Sequence, residues 1–288
     1  MLLATLNDVG FAQEISHPPA IRLPDRGFLD PTTAQRYEIK FWATEEQAVE
    51  ILRICQPHME LDPFCLRGPQ RNVSLYLDSP QRTFLEQHLS GAVSRFKLRV
   101  RTYEDPTGLA FLEVKRRVKT VTSKLRTPVR RQVASDLVDG RWDAVAGMPP
   151  SPALGDFLFL CQRYLVEPVL LVSARRLALR TVGDEGGFRL TLDRDIRYQR
   201  SSGPELVGRP GNWTPVSLVE RTGNEALRVL LEMKFADAAP AWVAAAIEGL
   251  HLRPTSYSKY VAAMCQDRAD FDGGECAMGF RPEDEDGW

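Results

Sequence analysis

The seven residues 95–101 read RFKLRVR, so every second residue is basic and the residues between them are apolar. Because successive side chains of a strand point to opposite faces, this pattern predicts a strand with one cationic and one apolar face. A guanidinium group binds two phosphate oxygens at once, and a lysine supplies a compact positive charge. Chemistry at a phosphoryl group needs positioning and charge neutralisation more than a covalent nucleophile, and such a face can supply both.

The same alternation recurs along the chain and predicts about eight strands. These strands are 36–42, 72–78, 95–101, 111–115, 123–126, 169–177, 188–193 and 230–235. Most of them combine an apolar face with a face of Arg, Lys and Glu, and such carboxylates are candidate ligands for a divalent metal that bridges phosphate oxygens. For a single strand, the simpler interpretation is a half-exposed antiparallel sheet with its charged face in water.

Five amphipathic helices accompany the strands, and we predict them at 44–55, 79–89, 153–165, 240–250 and 258–264. They are enough to cover the apolar strand faces from outside, which would bring the charged faces together. We therefore predict an α+β fold, a closed antiparallel eight-stranded β-tunnel with the helices packed outside and room for one elongated ligand. Two like charges 4 Å apart repel by roughly 4 kcal/mol at an effective dielectric of 20, so a basic lumen indicates a bound polyanion.

The composition is that of an ordinary globular protein, with 288 residues of which 43% are apolar and 26% charged. Collagen-like and wholly disordered chains are thereby excluded. The net charge of −1 conceals a segment, 95–131, that carries +9 and an acidic end, 267–288, that carries −6. We predict one domain at 35–266, an extended lead-in at 1–34, and a disordered tail at 267–288.

Five scattered cysteines without a CxxC pair argue against a disulfide framework or a zinc site. No basic segment of the kind found in signal peptides precedes the first acidic residue. Together with the cysteine pattern, this favours a cytoplasmic location. No run approaches the roughly 18 apolar residues of a membrane-spanning helix, so we expect no direct membrane span.

Six short motifs resemble the VTC domain, the polyphosphate-polymerase branch of the triphosphate tunnel metalloenzymes within the CYTH-like superfamily. The motifs are RYEIK at 36–40, SLYLD at 74–78, RFKLRVR at 95–101, FLEVK at 111–115, LEMK at 231–234 and SKY at 258–260. Each motif alone is weak, but six in order from about 36 to 264 are more specific. The wider superfamily begins with Glu-x-Glu-x-Lys, whereas this chain has Arg36-x-Glu38-x-Lys40, which favours the VTC branch.

The resemblance implies a tunnel that binds a triphosphate or polyphosphate chain, uses Mg²⁺ or Mn²⁺, and transfers the γ-phosphate of ATP to a growing polyphosphate. By position, the implied phosphate ligands are Lys40, Arg99, Arg101, Lys115, Lys124, Arg175 and Lys259. Glu232 is implied as the principal metal ligand, with Glu38 and Glu113 as further candidates. The implied catalytic residues are Arg99, Arg101, Lys259 and Glu232.

Two positions depart from the pattern of the polymerase members. Ser173 stands where they tend to have Tyr, two residues before Arg175, and Ser256 stands where they tend to have Lys. The resemblance leaves a metal-dependent inorganic triphosphatase and a non-catalytic polyphosphate-binding module as alternatives to the polymerase. Coupling to transport across a membrane would need a membrane-protein partner.

Nucleic-acid binding is an alternative from another class, because a segment with a charge of +9 would attract RNA. Recognition of bases would require exposed aromatic residues between the basic ones. We interpret Phe96 and Phe111 as lying on the apolar faces, opposite the basic residues, and therefore expect no nucleic-acid partner.

Overall fold

The structure is a computed structural model, and it describes residues 37–104, 107–118, 121–182, 187–217, 227–236 and 238–272. The strands are β1 (Tyr37–Ala43), β2 (Met59–Leu61), β3 (Gln70–Asp78), β4 (Ser94–Tyr103), β5 (Leu109–Val118), β6 (Val121–Arg130), β7 (Glu167–Thr181), β8 (Arg189–Arg200), β9 (Thr214–Pro215) and β10 (Val229–Phe235). The helices are α1 (Glu45–Cys55), α2 (Thr83–Leu89), α3 (Arg131–Val138), α4 (Pro152–Tyr164), α5 (Ala241–Gly249) and α6 (Lys259–Asp272).

All the strands belong to one antiparallel sheet with the order β1-β10-β8-β7-β3-β4-β5-β6, to which β2 adds beside β7 and β9 beside β8. The eight long strands are the eight that the alternation predicts. The sheet curls into a half-barrel, so that a lysine of β5, Lys115, reaches the carboxylate of Glu38 on β1 at 3.2 Å. The charged side chains therefore share the concave face.

The prediction of a closed barrel is wrong, because no backbone pairing joins β1 to β6 within the part of the chain that the structure describes. The free edge of β1 is instead contacted by the segment before α6. The Thr255 amide donates to the Lys40 carbonyl at 2.8 Å, and Phe41 forms an isolated bridge with Pro254. Side-chain alternation identifies the charged face of a strand but does not determine which strand edges pair.

Four helices cover the convex face, as predicted for the outside of the sheet. Helices α1 and α5 pack over β1, β10, β8 and β7, where Ile51 and Leu231 are fully buried. Helix α4 and the unpredicted helix α3 pack over β3, β4 and β5, around Phe157 and Leu98. The convex face thus holds most of the apolar core and fixes the charged residues on the other side.

Helix α6 is an exception to the predicted outside packing, because it lies against the concave face. Its residues Val261 to Cys265 pack on apolar side chains of that face, including Tyr76, Val172 and Leu230. The helix also continues to Asp272, six residues into the segment predicted as a disordered tail. The predicted lead-in at 1–34 and the remainder of the tail lie outside the described residues.

A buried carboxylate, Asp78, anchors α6 to the end of β3. Its oxygens accept hydrogen bonds from the backbone amides of Phe84 and Leu85 at the start of α2, at 2.8 and 2.9 Å. The phenol of Tyr260 donates to the same carboxylate at 2.6 Å, and the Tyr260 ring stacks on Tyr76. Because Tyr260 follows Lys259, this anchor fixes the position of a candidate site residue.

Two further properties of the described residues concern membranes and cysteines. None of the described helices is long and apolar enough to cross a membrane. Cys55, Cys65 and Cys161 are free and buried. The cytoplasmic location stays a prediction.

We predict that Tyr260→Phe destabilises the fold without changing its shape. The substitution removes one buried hydrogen bond to a charged acceptor, which typically costs about 1.5–3 kcal/mol. At about 2–4 °C per kcal/mol, the thermal midpoint should fall by about 3–12 °C in a calorimetric scan. Tyr37→Phe is the matched control, because Tyr37 is 59% exposed. An equal fall in both variants would contradict the anchoring role of the Asp78–Tyr260 hydrogen bond.

Candidate functional site

The concave face gathers charged residues from seven strands and one helix into a groove. The cationic residues of its central part are Lys40, Lys97, Arg99, Arg101, Lys115, Lys124, Arg126, Arg176, Lys234 and Lys259, and the carboxylates are Glu38, Glu113, Asp193 and Glu232. The groove therefore holds ten cationic side chains and four carboxylates among the described residues. This excess of positive charge is enclosed by the sheet and by α6.

Glu113 is at the centre of the first cluster in the groove and is only 1% exposed. Its carboxylate lies 2.5 Å from Arg99, 2.9 Å from Lys124 and 3.5 Å from Arg126. Burial alone would raise the pKa of Glu113, but the three neighbouring cations hold it well below its usual range. Burial lowers the pKa of Lys124 to about 7, although Glu113 opposes the shift.

Two hydrogen bonds orient the arginine side chains on the strand face beside Glu113. The Arg99 guanidinium donates to the Tyr76 hydroxyl at 3.1 Å, and the Arg101 guanidinium donates to the Ser74 hydroxyl at 3.1 Å. Both arginines project from β4 on the same side, two residues apart. Their separation of about 7 Å along the strand suits successive groups of an extended polyanion.

The second cluster joins β1 to β10. Glu38 contacts Lys40 at 2.9 Å and Lys115 at 3.2 Å, and the ammonium of Lys234 lies between Glu38 and Glu232. Burial and the charge of Glu232 act to raise the pKa of Glu38, but the three lysines hold it below its usual range. The pKa of Glu232 is also well below its usual range despite burial, because Lys234 and Lys40 are close.

The third cluster surrounds Asp193, which is completely buried on β8. Arg176 binds it with two hydrogen bonds of 2.6 and 2.7 Å, and Lys259 of α6 lies 2.6 Å away. These cations hold the pKa of Asp193 below its usual range against the effect of burial. Helix α6 thus contributes a lysine to a groove otherwise formed by strands.

The structure places Arg175 outside the groove. Its side chain is exposed and lies on the other face of β7, so the structure does not bring it together with the other predicted phosphate ligands. β7 alternates without interruption against β3 from Leu170 to Arg176, which places Arg176 on the concave face with Val172. The bulge between β7 and β8 lies on β8, at Asp195, which has a φ of 49°. Arg175 was assigned from the family resemblance, and alternation along β7 was the available signal that separates it from Arg176.

The other predicted site residues all lie in the groove, namely Lys40, Arg99, Arg101, Lys115, Lys124, Lys259, Glu38, Glu113 and Glu232. The sequence interpretation did not include Arg176, Arg126 or Lys234 among them, although Arg126 and Lys234 alternate with predicted site residues. It also misplaced Phe111, which pairs with Arg101 on the concave face and lies 3.6 Å below the Arg126 guanidinium. Residues 111, 113 and 115 share one strand face, so alternation could have placed Phe111 on the same face as Glu113 and Lys115.

The carboxylates of the groove fit a divalent ion that shares its ligands with a phosphate. No three His, Cys, Asp or Glu residues cluster into a metal site in the described ranges. Mg²⁺, however, commonly uses one or two carboxylates plus substrate phosphates. Glu232 and Glu38 lie around one ammonium, and the buried Thr191 hydroxyl, directly across from Glu232, has no hydrogen-bond partner. These three oxygen-bearing side chains are the residues that would hold the ion.

We predict that Asp193→Asn costs about 3–5 kcal/mol of stability at pH 7, because it leaves two buried cations without their counter-ion. The folded-state pKa of Asp193 is depressed, so its contribution is present above the unfolded value of about 3.9 and is lost as pH falls below it. Urea unfolding at pH 7, 5 and 3 should show a full difference from the parent protein at pH 7 and 5 and a smaller one at pH 3.

Glu50→Gln is the control, because Glu50 forms an exposed pair with Arg53 at 3.4 Å. Such pairs contribute about 0–1 kcal/mol. A difference between the parent protein and Asp193→Asn that does not change with pH would contradict the ion-pair assignment.

Three solved structures are similar to this chain over most of its length. The PH1819 protein of Pyrococcus horikoshii OT3 is 13% identical, with 81% of this chain and 98% of that chain covered and a TM-score of 0.41. The putative adenylyl cyclase HpAC1 of Hippeastrum, whose structure is described as revealing a dominant triphosphatase activity, is 14% identical with 80% and 95% covered and a TM-score of 0.43. A putative adenylate cyclase of Bacillus halodurans is 13% identical, with 77% of this chain and 92% of that chain covered and a TM-score of 0.40.

A family model matches most of the chain, whereas no curated protein sequence matches the chain. The family model described as the VTC domain matches residues 35–266, which include every charged residue of the groove. The chain therefore belongs to the VTC domain family.

Proposed function

We propose that this protein is a polyphosphate polymerase-like enzyme that binds ATP and inorganic polyphosphate in the groove and transfers the terminal phosphoryl group with the help of Mg²⁺ or Mn²⁺. The observation that carries the proposal is the groove's excess of cations over carboxylates on one enclosed face. Each carboxylate is already ion-paired, so the remaining positive charge favours an added polyanion. Membership of the VTC family supports a polyphosphate chain as that polyanion.

In this proposal, the residues of β4 and β7 bind and orient the phosphate chain. Arg99 offers further N–H groups beyond those used by Glu113 and Tyr76, and Arg101 offers further N–H groups beyond the one used by Ser74. Arg176 and Lys259 face the same groove. Fixed donors of this kind act mainly by positioning and by stabilising charge in the transition state. Lys40, Lys115 and Lys124 complete the set of phosphate ligands that we propose.

Glu232, with Glu38 and the Thr191 hydroxyl, would hold the divalent ion. When bound, Mg²⁺ or Mn²⁺ supplies charge neutralisation at the phosphoryl oxygens. Glu113 is surrounded by three cations and is only 1% exposed, so we assign it to orienting Arg99 and Lys124 and no longer to the metal.

A metal-dependent triphosphatase is the second candidate, and the open side of the half-barrel favours it. Lys115 and Lys124 lie near the unpaired edge β6, and their side chains are 34% and 39% exposed. Water can therefore reach a phosphate bound there and compete with a phosphate chain as the acceptor. A non-catalytic polyphosphate-binding module would use the same groove without turnover.

We predict that Glu232→Gln abolishes turnover of ATP in the presence of Mn²⁺ or Mg²⁺ and leaves the affinity for polyphosphate within a few-fold of the parent value. The amide removes the carboxylate that would hold the metal but keeps the cationic ligands. Products are followed by gel electrophoresis for long chains and by release of inorganic phosphate.

Chain growth in the parent protein would identify a polymerase, phosphate release alone a triphosphatase, and binding without either a non-catalytic module. Glu50→Gln, on the convex side, is the control and should retain full activity. Full activity of Glu232→Gln in saturating Mn²⁺ would refute the metal-binding role of Glu232.

We also predict that tripolyphosphate stabilises the fold in a thermal melt without added metal. A ligand that binds only the native state at 100 times its dissociation constant adds about 2.7 kcal/mol. At about 2–4 °C per kcal/mol, the midpoint should rise by about 5–11 °C. High salt should shrink the rise, but less than for an open basic surface, because enclosed charges are screened weakly.

Sulfate and a random RNA oligomer are the controls for this rise. Sulfate is too small to contact several strands at once, so equimolar sulfate should give a much smaller shift. An RNA oligomer tests whether the open side of the groove and the aromatic ring of Phe111 admit a nucleic acid. Equal stabilisation by RNA and tripolyphosphate would overturn the assignment to polyphosphate.

A further inference from the structure

Lysine and arginine are distributed very differently in this protein. The sequence contains 7 lysines among its 37 basic residues. All six lysines that the structure describes lie in the groove, whereas arginines occur on every face. Lys119 lies outside the described residues. The groove is thus the region in which compact ammonium charges are concentrated.

Lys97 differs from the other five groove lysines in having no counter-ion. It lies on β4 directly beside Lys115 of β5, and Lys115 in turn lies beside Lys124 of β6. Lys40, Lys115, Lys124, Lys234 and Lys259 each contact a carboxylate within 4.0 Å. Lys97 makes no ion pair with the described residues and no hydrogen bond with them.

Glu38, the carboxylate whose charge acts on Lys97, is already shared by other lysines. Glu38 is contacted by Lys40, Lys115 and Lys234 at 2.9, 3.2 and 3.5 Å. Three ammonium groups around one carboxylate leave no further negative charge for a fourth. The part of the groove between β4 and β1 is consequently its least neutralised part.

We propose that Lys97 is a direct phosphate ligand, which together with Lys40 and Lys115 forms a three-lysine subsite for one phosphate of the bound chain. The inference rests on the proposed function, since it takes polyphosphate or triphosphate as the ligand. It adds a binding residue that the family resemblance did not assign. The phosphate supplies the counter-ion that none of the described residues provides at this position.

The surroundings of Lys97 from every neighbouring element support this role. Burial and the charges of Lys115 and Lys40 hold the pKa of Lys97 well below its usual range, with Arg99 adding to the effect and only Glu38 opposing it. From α2, burial and then Lys97 lower the pKa of His88 to about 3, so this histidine adds no positive charge near neutral pH. A phosphate beside Lys97 would add negative charge that offsets the burial of its ammonium group and the repulsion from the neighbouring cations.

The proposal predicts opposite effects of one substitution on stability and on binding. Lys97→Met keeps an unbranched side chain of similar length but removes the charge that lacks a partner. The empty variant should melt at or above the temperature of the parent protein. Its dissociation constant for tripolyphosphate should rise by about tenfold or more, the loss of one charge-assisted hydrogen bond.

The experiment is isothermal titration calorimetry of the full chain with tripolyphosphate. The buffer contains a metal chelator, so that metal binding plays no part. Lys97→Arg should retain most of the affinity because it keeps the charge, and Arg163→Ala on the exposed side of α4 should bind as the parent does. A merely structural role of Lys97 would lower the melting temperature and the affinity together. That result, or unchanged affinity in Lys97→Met, would overturn the proposal.

Acetylation of amines, read by mass spectrometry, provides a second measurement on the unmodified chain. Lys97 should be acetylated in the empty protein and protected by tripolyphosphate. Continued acetylation of Lys97 at saturating tripolyphosphate would contradict direct contact. If the parent protein binds no tripolyphosphate at all, the proposed function fails as well, whereas binding that does not depend on Lys97 refutes this inference alone.

Discussion

Repulsion between like charges on the concave face is the constraint on which the rest of this structure depends. The groove brings ten cationic side chains together and supplies four carboxylates, each of which contacts at least one cation within 4.0 Å. At an effective dielectric of about 20, each uncompensated contact at 4 Å costs roughly 4 kcal/mol. Such a face is stable only because the apolar core on the convex side is large enough to hold the sheet in this curvature.

The carboxylates behave as fixed internal counter-ions. The pKa values of Glu113 and Glu232 are well below their usual range despite burial, so both groups stay ionised at neutral pH. They stabilise the empty groove and also keep the arginine forks in defined positions. Because they number fewer than the cations, they leave positive charge that only a ligand can neutralise. Stability of the empty protein and affinity for a polyanion are therefore opposed in this groove.

Much of the fold follows from alternation in the sequence, because a strand with one apolar and one charged face has only one way to meet a core. This argument identifies all eight long strands and places eight of the ten assigned site residues on one charged face, whereas Lys259, on α6, was assigned from the family resemblance alone. Arg175 was selected by the family resemblance, whereas the unbroken alternation of β7 against β3 places Arg176 on the concave face. Alternation fails for closure of the barrel and for the position of α6. Edge pairing and docking of a helix depend on tertiary contacts, such as the Tyr260–Asp78 hydrogen bond, that carry no periodic signal.

The open side of the half-barrel has a consequence for the chemistry. A closed tunnel would exclude water and admit a chain only through its ends, whereas here the edge strand β6 leaves Lys124 and Arg126 partly exposed. Under the proposed function, transfer to a phosphate chain would compete with transfer to water, and positioning of the acceptor would decide the outcome. Lys97 lies beside Lys115 and forms no ion pair with the described residues, so in our proposal it would hold an additional phosphate on this side of the groove. A groove that held an acceptor phosphate there would favour chain growth over hydrolysis, even with one side open to water.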